Sequence, residues 1–403
     1  MKSKKMREMG EIVEKIEGSV GDVKIFVSQN APVFQDRATW LAAVCEYYRD
    51  ECGRNVSLGN PEAFRKGLSI NNPVIVNSIS IRIHESPYTV FKYTEENISL
   101  IVDKYKKWIM SNIVLGEGLL HAFAWSLYEV MDNVFQHGEA KYGYISMQYH
   151  YRSRRLNMAV TYIGKGIIRS MSEGVMRENA KVDSRVFMDH FKNSEYGSIV
   201  KYTVDKGVTS KGGNNKGLGL YGLAEAVRQN GGTFIIDSGK GAYEYNSQYG
   251  DSLSRTYNFS CSPIIFGGKN GDDVKYLTCV NWSLDVSNPV SMSDILNVEY
   301  SSDETDEYYD EEVQAHVIHM GEHKADVATR KGGVKISNII GNLVNDGAEY
   351  IILDFDSIDV VSSSFADEII KAEMQYQRKI YLKNQNKDID LVFNYVRNDR
   401  KKI

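Results

Sequence analysis

Three polar side chains spaced by four, Glu129, Asn133 and His137, stand in a stretch that is otherwise mostly apolar. Four residues advance a helix by about 400°, so the three share one slowly drifting stripe. A carboxylate one turn ahead of an amide suits a site in which Asn133 Oδ1 holds Mg²⁺ and Glu129 orients a water. Magnesium takes oxygen ligands and keeps several waters, so one asparagine suffices beside phosphate oxygens. The same spacing also describes an ordinary solvent-facing helix, and alone it decides nothing. A second group is Gly164-Lys-Gly166, which closes the strand-like run from Leu156 to Ile163. Glycines there let the backbone turn sharply and approach a ligand closely, although such pairs are common in turns. The third is the loop Thr209-Ser-Lys-Gly-Gly-Asn-Asn-Lys-Gly-Leu-Gly219. A helix that begins in such a loop points free N–H groups and a positive dipole outward, which suits phosphate. Lys211 and Lys216 add charge, and Gly217, Leu218 and Gly219 form the helix entry. The loop has neither the Walker A spacing nor a GxGxxG directly after a strand, so P-loop and Rossmann sites are excluded.

The elements that must position these groups are legible in the apolar pattern. Leu119, Leu120, Phe123, Leu127, Val130, Met131 and Val134 predict a helix over about 118–137. Leu220, Leu223, Ala224 and Val227 predict another directly after the glycine loop. Before them, Val23 to Val27 reads as a strand. Asp36 to Arg49 reads as a helix with Ala38, Leu41, Ala42, Cys45 and Tyr48 on one face. Arg152 to Arg155 reads as a charged turn between two strands.

Hydrophobic residues make up 42% of the 403 and charged residues 25%, as in soluble globular proteins. No apolar run approaches the ~20 residues that span a bilayer, and no apolar region follows the basic start, so neither a transmembrane helix nor a secretory signal is expected. A net charge of −5 argues against nucleic acid as the main partner. Four scattered cysteines without CxxC spacing argue against a zinc site or disulfide framework and fit a reducing cytoplasm. Asp294 to Glu312 is acidic and lacks lysine and arginine, which predicts a linker. The expected organisation is a small α/β region over 1–110, a nucleotide-binding domain over 111–290, an acidic linker over 291–312 and a small mixed α/β domain over 313–403.

Glu129-Val-Met-Asp-Asn133 with His137-Gly138, then the GxG, then the GxGL helix entry occur in the order of the GHKL ATP-binding fold. The chain resembles that superfamily over roughly 115–260, and EVMDNVFQHG looks most like the box of anti-sigma serine kinases and related bacterial proteins. The resemblance implies a Bergerat-type α+β sandwich that binds ATP and Mg²⁺. Asn133 would hold the metal and Glu129 would act as general base. Gly164 and Gly166 would shape the adenine pocket, with Gly217 and Gly219 presenting N–H groups to phosphates. Residues 168–216 would form the ATP lid, carrying a helix near Ser184 to Phe191. One position departs from the family: where an aspartate accepts from the adenine amino group, this chain has Tyr162.

Tyr350 to Phe355 reads as a buried strand, and a helix is expected over Gly333 to Asp346. Ser362-Ser-Ser-Phe-Ala-Asp367 opens a further helix, with Ser364 and Asp367 in capping-box spacing. This region resembles STAS-like domains, in some of which a serine at this turn is phosphorylated; Ser363 or Ser364 would be the acceptor here. His316, His319 and His323 lie close in sequence, but strand alternation turns the first two to opposite faces. The function implied is a cytoplasmic bacterial regulator in which ATP, slowly hydrolysed, orders the lid and alters contacts with the chain's own STAS-like domain, a protein partner or a second copy. The alternatives are a serine kinase acting on a STAS-type serine and an interaction scaffold with a degenerate nucleotide site.

Overall fold

The computed structural model describes residues 11–26, 35–58, 74–75, 89–177, 180–210, 217–248, 251–256, 265–266, 274–297, 307–376 and 379–400. The loop lysines Lys211 and Lys216, and Cys261, lie outside them. The protein is mixed α/β with several sheets and divides into two compact units, one of residues 1–104 and 122–285, the other of 105–121 and 286–403.

In chain order the first unit holds β1 (Val23–Ile25), α1 (Gln35–Asp50), β2 (Val56–Leu58), β3 (Val74–Ile75) and β4 (Phe91–Tyr93). Helices α2 (Ile98–Asn112) and α3 (Leu119–Gln136) each cross the division between units. Then follow β5 (Gly143–His150), β6 (Arg155–Gly164), α4 (Ile167–Val175), α5 (Ser184–Lys192), α6 (Tyr196–Tyr202), α7 (Gly219–Asn230), β7 (Thr233–Ser238), β8 (Gly241–Asn246), β9 (Asp251–Thr256), β10 (Ile265–Phe266) and β11 (Lys275–Asp285). The main sheet runs β3-β4-β5-β6-β11-β7-β8-β9, with β10 beside β11. The charged turn at 151–154 is the hairpin between β5 and β6.

Both faces of this sheet are used. Side chains alternate along a strand, so Tyr162, Thr278 and Ser238 share one face across β6, β11 and β7. That face carries α3, whose terminal Gly138 meets the Tyr162 ring. The other face carries α1: Thr39 and Thr161 share a hydrogen bond at 2.8 Å, and Gln35 Nε2 donates to Asn281 Oδ1 at 3.3 Å. Ala38, Leu41, Ala42, Cys45 and Tyr48 of α1 are buried as the pattern predicts. They form one core with Tyr144 and Leu277 of the sheet. The amino-terminal segment is therefore no separate small domain; α1 seals the sheet and β4 extends it, because neither could bury its apolar side chains alone. Lys92 of β4 ties the two together through Glu46 at 2.6 Å and Asp50 at 3.1 Å.

The second unit contains α8 (Met292–Leu296), β12 (Tyr309–Asp310), β13 (Ala315–His319), α9 (Arg330–Asn345), β14 (Tyr350–Asp354), α10 (Ser363–Tyr376), β15 (Lys379–Lys383) and α11 (Lys387–Arg400). Its sheet runs β12-β13-β14-β15, antiparallel only at β12. Ile318, Ile351, Leu353, Ile336, Ile340, Phe365, Ile369 and Phe393 make its core. This unit takes in residues 105–121, so its sequence limits differ from the expected 313–403. The reason is a cap. The last carbonyls of a helix have no partner in the helix. At the end of α2, Asn342 Nδ2 donates to Met110 O and Ile113 O, Asn338 Nδ2 to Ser111 O, and Asn345 Nδ2 to Leu115 O. Asn342 Oδ1 also accepts from Leu115 N at 2.7 Å. The expected linker has ordered ends, α8 and β12; residues 298–306 lie outside the described set.

Candidate functional site

The three sequence elements singled out above meet in the first unit. Glu129, Asn133 and His137 are half-buried on α3 and its end. At the entry to α7, a Cβ placed on Gly219 would lie 2.5 Å from Glu129 Oε2, so the carboxylate rests on the helix start and would have to shift for any side chain there. Burial, aided by the charge of Asp132, raises the Glu129 carboxyl above its ordinary value. Gly217 has φ +67° with Gly207 and Val208 packed against it, and Gly207 N donates to Gly217 O at 3.1 Å. Both glycines are thus fixed by the close approach of neighbouring groups, not by composition.

The end of α3 also meets the GxG. Lys165 N donates to Gly138 O at 2.7 Å, and a side chain on Gly164 would strike that same carbonyl. Gly166, at φ +74°, precedes α4. Ile167 N, the first of α4, donates to Ser238 Oγ at 2.9 Å, and Ser238 Oγ shares a hydrogen bond with Thr278 at 2.8 Å. Thr278 in turn hydrogen-bonds the Tyr162 hydroxyl, whose pKa burial pushes up to about 12.

The glycine loop's first residues close the ring. Thr209 is buried and pairs with Lys181 in an isolated antiparallel bridge. Ser210 Oγ lies 2.9 Å from His137 Nδ1 and 2.8 Å from Ser170 Oγ, joining α3 and α4. The helix expected near Ser184 to Phe191 is α5, capped by Asp183, which accepts from Arg185 N and Val186 N. The segment from 167 to 210 has its own small core of Met171, Phe187 and Ile199. Its α6 lies on β8, where Gly241 leaves room for the Tyr196 backbone.

Contacts thus bring the three sequence elements into one region of the first unit: Glu129 meets Gly219, His137 meets Ser210, and Gly138 meets Tyr162 and Gly164. Ser363 and Ser364 belong to the second unit. There the cap of α10 is Ser362, whose Oγ accepts from Phe365 N at 3.0 Å, so the expected Ser364–Asp367 capping box does not form. Helix α10 starts two residues earlier than that spacing supposes. Burial would raise the Asp367 carboxyl, but Lys371 and Arg400 hold it below its ordinary value and engage it. Ser363 is exposed; Ser364 Oγ pairs with Ser362 Oγ at 3.0 Å. Among the described residues no group of three His, Cys, Asp or Glu could hold a metal. His319 lies 3.5 Å from Asp354 and His323 3.6 Å from Asp326.

Sequence reasoning missed Ser170, Ser210, Ser238 and Thr278. They carry no spacing signal, since the pairs Ser170–Ser210 and Ser238–Thr278 are each formed by segments 40 residues apart in the chain. The Mg²⁺ and triphosphate implied by the resemblance fit one end of the region: Asn133 shows no hydrogen bond to its side chain among the described residues, and Glu129 faces a helix entry. At the position where the resemblance implies an adenine-accepting aspartate, Tyr162 is buried. Among the described residues no helix is long and apolar enough to cross a membrane. No family model, curated protein or solved structure matches the chain.

Proposed function

We propose that the first unit is a GHKL-type module that binds Mg²⁺ and a nucleoside triphosphate, and that the protein is a regulatory switch in which this binding acts on the lid expected over 168–216 and alters contacts made by the STAS-like second unit. The carrying observation is the seating of Glu129 against Gly219, with Asn133 one turn on. The half-buried Glu129 carboxylate rests on a helix start, and Asn133, half-buried one turn on, has no side-chain hydrogen bond among the described residues, so both are open to a ligand. Mg²⁺, when bound, would neutralise phosphate charge beside Asn133. Glu129 would position or deprotonate a water; its raised pKa brings it closer to the range in which a carboxylate works as a base. The Lys181–Thr209 bridge and the His137–Ser210–Ser170 contacts supply the points at which the lid opens and closes.

Calorimetric titration with Mg²⁺ and ATP tests the reading. Binding that needs Mg²⁺ and is lost in Asn133→Ala is expected; saturable binding unchanged in that variant would remove Asn133 from the site. Glu129→Ala should keep binding and lose phosphate release. Label transferred to Ser363 instead of released phosphate would turn the reading to a serine kinase. A second reading, an interaction scaffold, is favoured by the burial of Tyr162, and its signature is no triphosphate binding at all.

A further inference from the structure

The residues facing α3 form a row across five strands: Tyr93, Gly143, Tyr162, Thr278 and Ser238 stand opposite one another in register. The hydroxyls of Tyr162, Thr278 and Ser238 are spent within the protein. Thr278 is fully buried and lies between Tyr162 and Ser238, and Ser238 accepts from the first amide of α4. The Tyr162 ring is 5% exposed and lies on Gly138, so tightly that no Cβ would fit at that glycine. Tyr93, 1% exposed, closes the row, its ring over Gly143 and edge-on to Phe135 at 5.7 Å. A base is told from another base by donors and acceptors that are left unpaired when the wrong one enters. At the position where the resemblance implies an aspartate that accepts from adenine, Tyr162 presents a neutral ring, and its hydroxyl is engaged by Thr278. By contrast, Glu129 rests on the helix entry at Gly219, where the reading above puts phosphate.

We propose that Tyr162 removes base selection, so that the site takes nucleoside triphosphates by their phosphate end and does not distinguish one base from another. This rests on the nucleotide-binding reading above. The ligand class is the Mg²⁺ triphosphate, with the base directed away from the Tyr162–Thr278–Ser238 row.

The experiment is calorimetric titration of the full chain with ATP, GTP, CTP and UTP in Mg²⁺, repeated on Tyr162→Asp and Tyr162→Phe. The four wild-type affinities are expected to agree within about threefold, and Tyr162→Phe, which keeps the ring, should match them. Tyr162→Asp should favour ATP over GTP by about tenfold or more. A wild type that already prefers ATP about tenfold overturns the inference while leaving the nucleotide reading standing, and that result does not depend on whether Tyr162→Asp folds. Binding of none of the four, by wild type or by Tyr162→Phe, overturns the nucleotide reading itself.

Discussion

Asn133 and Asn342 stand on amphipathic helices of different units, each within a polar stripe. Glu129, Asn133 and His137 are four apart; Asn338, Asn342 and Asn345 are four and three apart. In the folded protein they differ completely. Asn342 is 2% exposed and makes three hydrogen bonds, all to the end of α2 or the residues just beyond it. Asn133 is half-buried and has no side-chain hydrogen bond among the described residues. A buried polar group with every bond made is architecture. A half-buried one without a side-chain hydrogen bond is available to a ligand. The contrast gives a criterion for sites in this chain that spacing does not.

The sharpest way to break that contrast is Asn342→Ala. It would leave buried groups of Met110, Ile113 and Leu115 unpaired, and a loss of about 4 kcal/mol in urea unfolding of the full chain is expected. An effect below about 1 kcal/mol would show that water replaces the amide and that the cap is not what holds residues 105–121 in the second unit. Next comes Phe187→Ala in the lid core. Removing this buried ring should weaken the 167–210 segment by about 3 kcal/mol. Faster amide exchange confined to that segment would confirm a separately opening unit; equal acceleration in β5, β6 and β11 would refute it.

Glu129→Gln has a smaller effect and a signed pH dependence. Because burial raises the folded-state pKa of Glu129, the protonated form is the one the fold favours. That contribution is full below the unfolded pKa and is lost as pH rises through the folded one. Wild type and Glu129→Gln should therefore melt alike near about pH 4, and the variant should melt higher as pH rises toward about pH 7. A gap that opens in the acid direction would reverse the assignment. Smallest of all, Asn133→Ala should change stability by less than about 0.5 kcal/mol, measured without ligand. A loss comparable to that in Asn342→Ala would make Asn133 a structural residue and dissolve the contrast.

The elements carrying the site were readable because apolar periodicity follows from which face is buried. Helices α3 and α7, the strand at Tyr350, and the core face of α1 all follow from it. Two expectations failed for one reason. The Ser364–Asp367 spacing matched a cap, yet Ser362 holds that place, since Asp367 is drawn to Lys371 and Arg400. The 1–110 region looked like a unit because no pattern in it announces that α1 covers a sheet formed more than a hundred residues later. Local motifs report what a residue can do with its neighbours in sequence, and long-range partners decide whether it does.

By itself the sequence determined the helices and strands around Glu129, Gly164 and Gly219, the exclusion of P-loop and Rossmann sites, and the odd residue at Tyr162. Those depend on side-chain type and on periods of two and 3.6, which are local. Only the tertiary structure decided that Glu129 rests on Gly219 and that Tyr162 is locked to Thr278 against Gly138. It also decided that Asn338, Asn342 and Asn345 serve a helix end some 230 residues away. Each of these is a contact between chain segments whose separation leaves no trace in spacing, because closing such long loops is settled by the burial and hydrogen bonding of the whole unit.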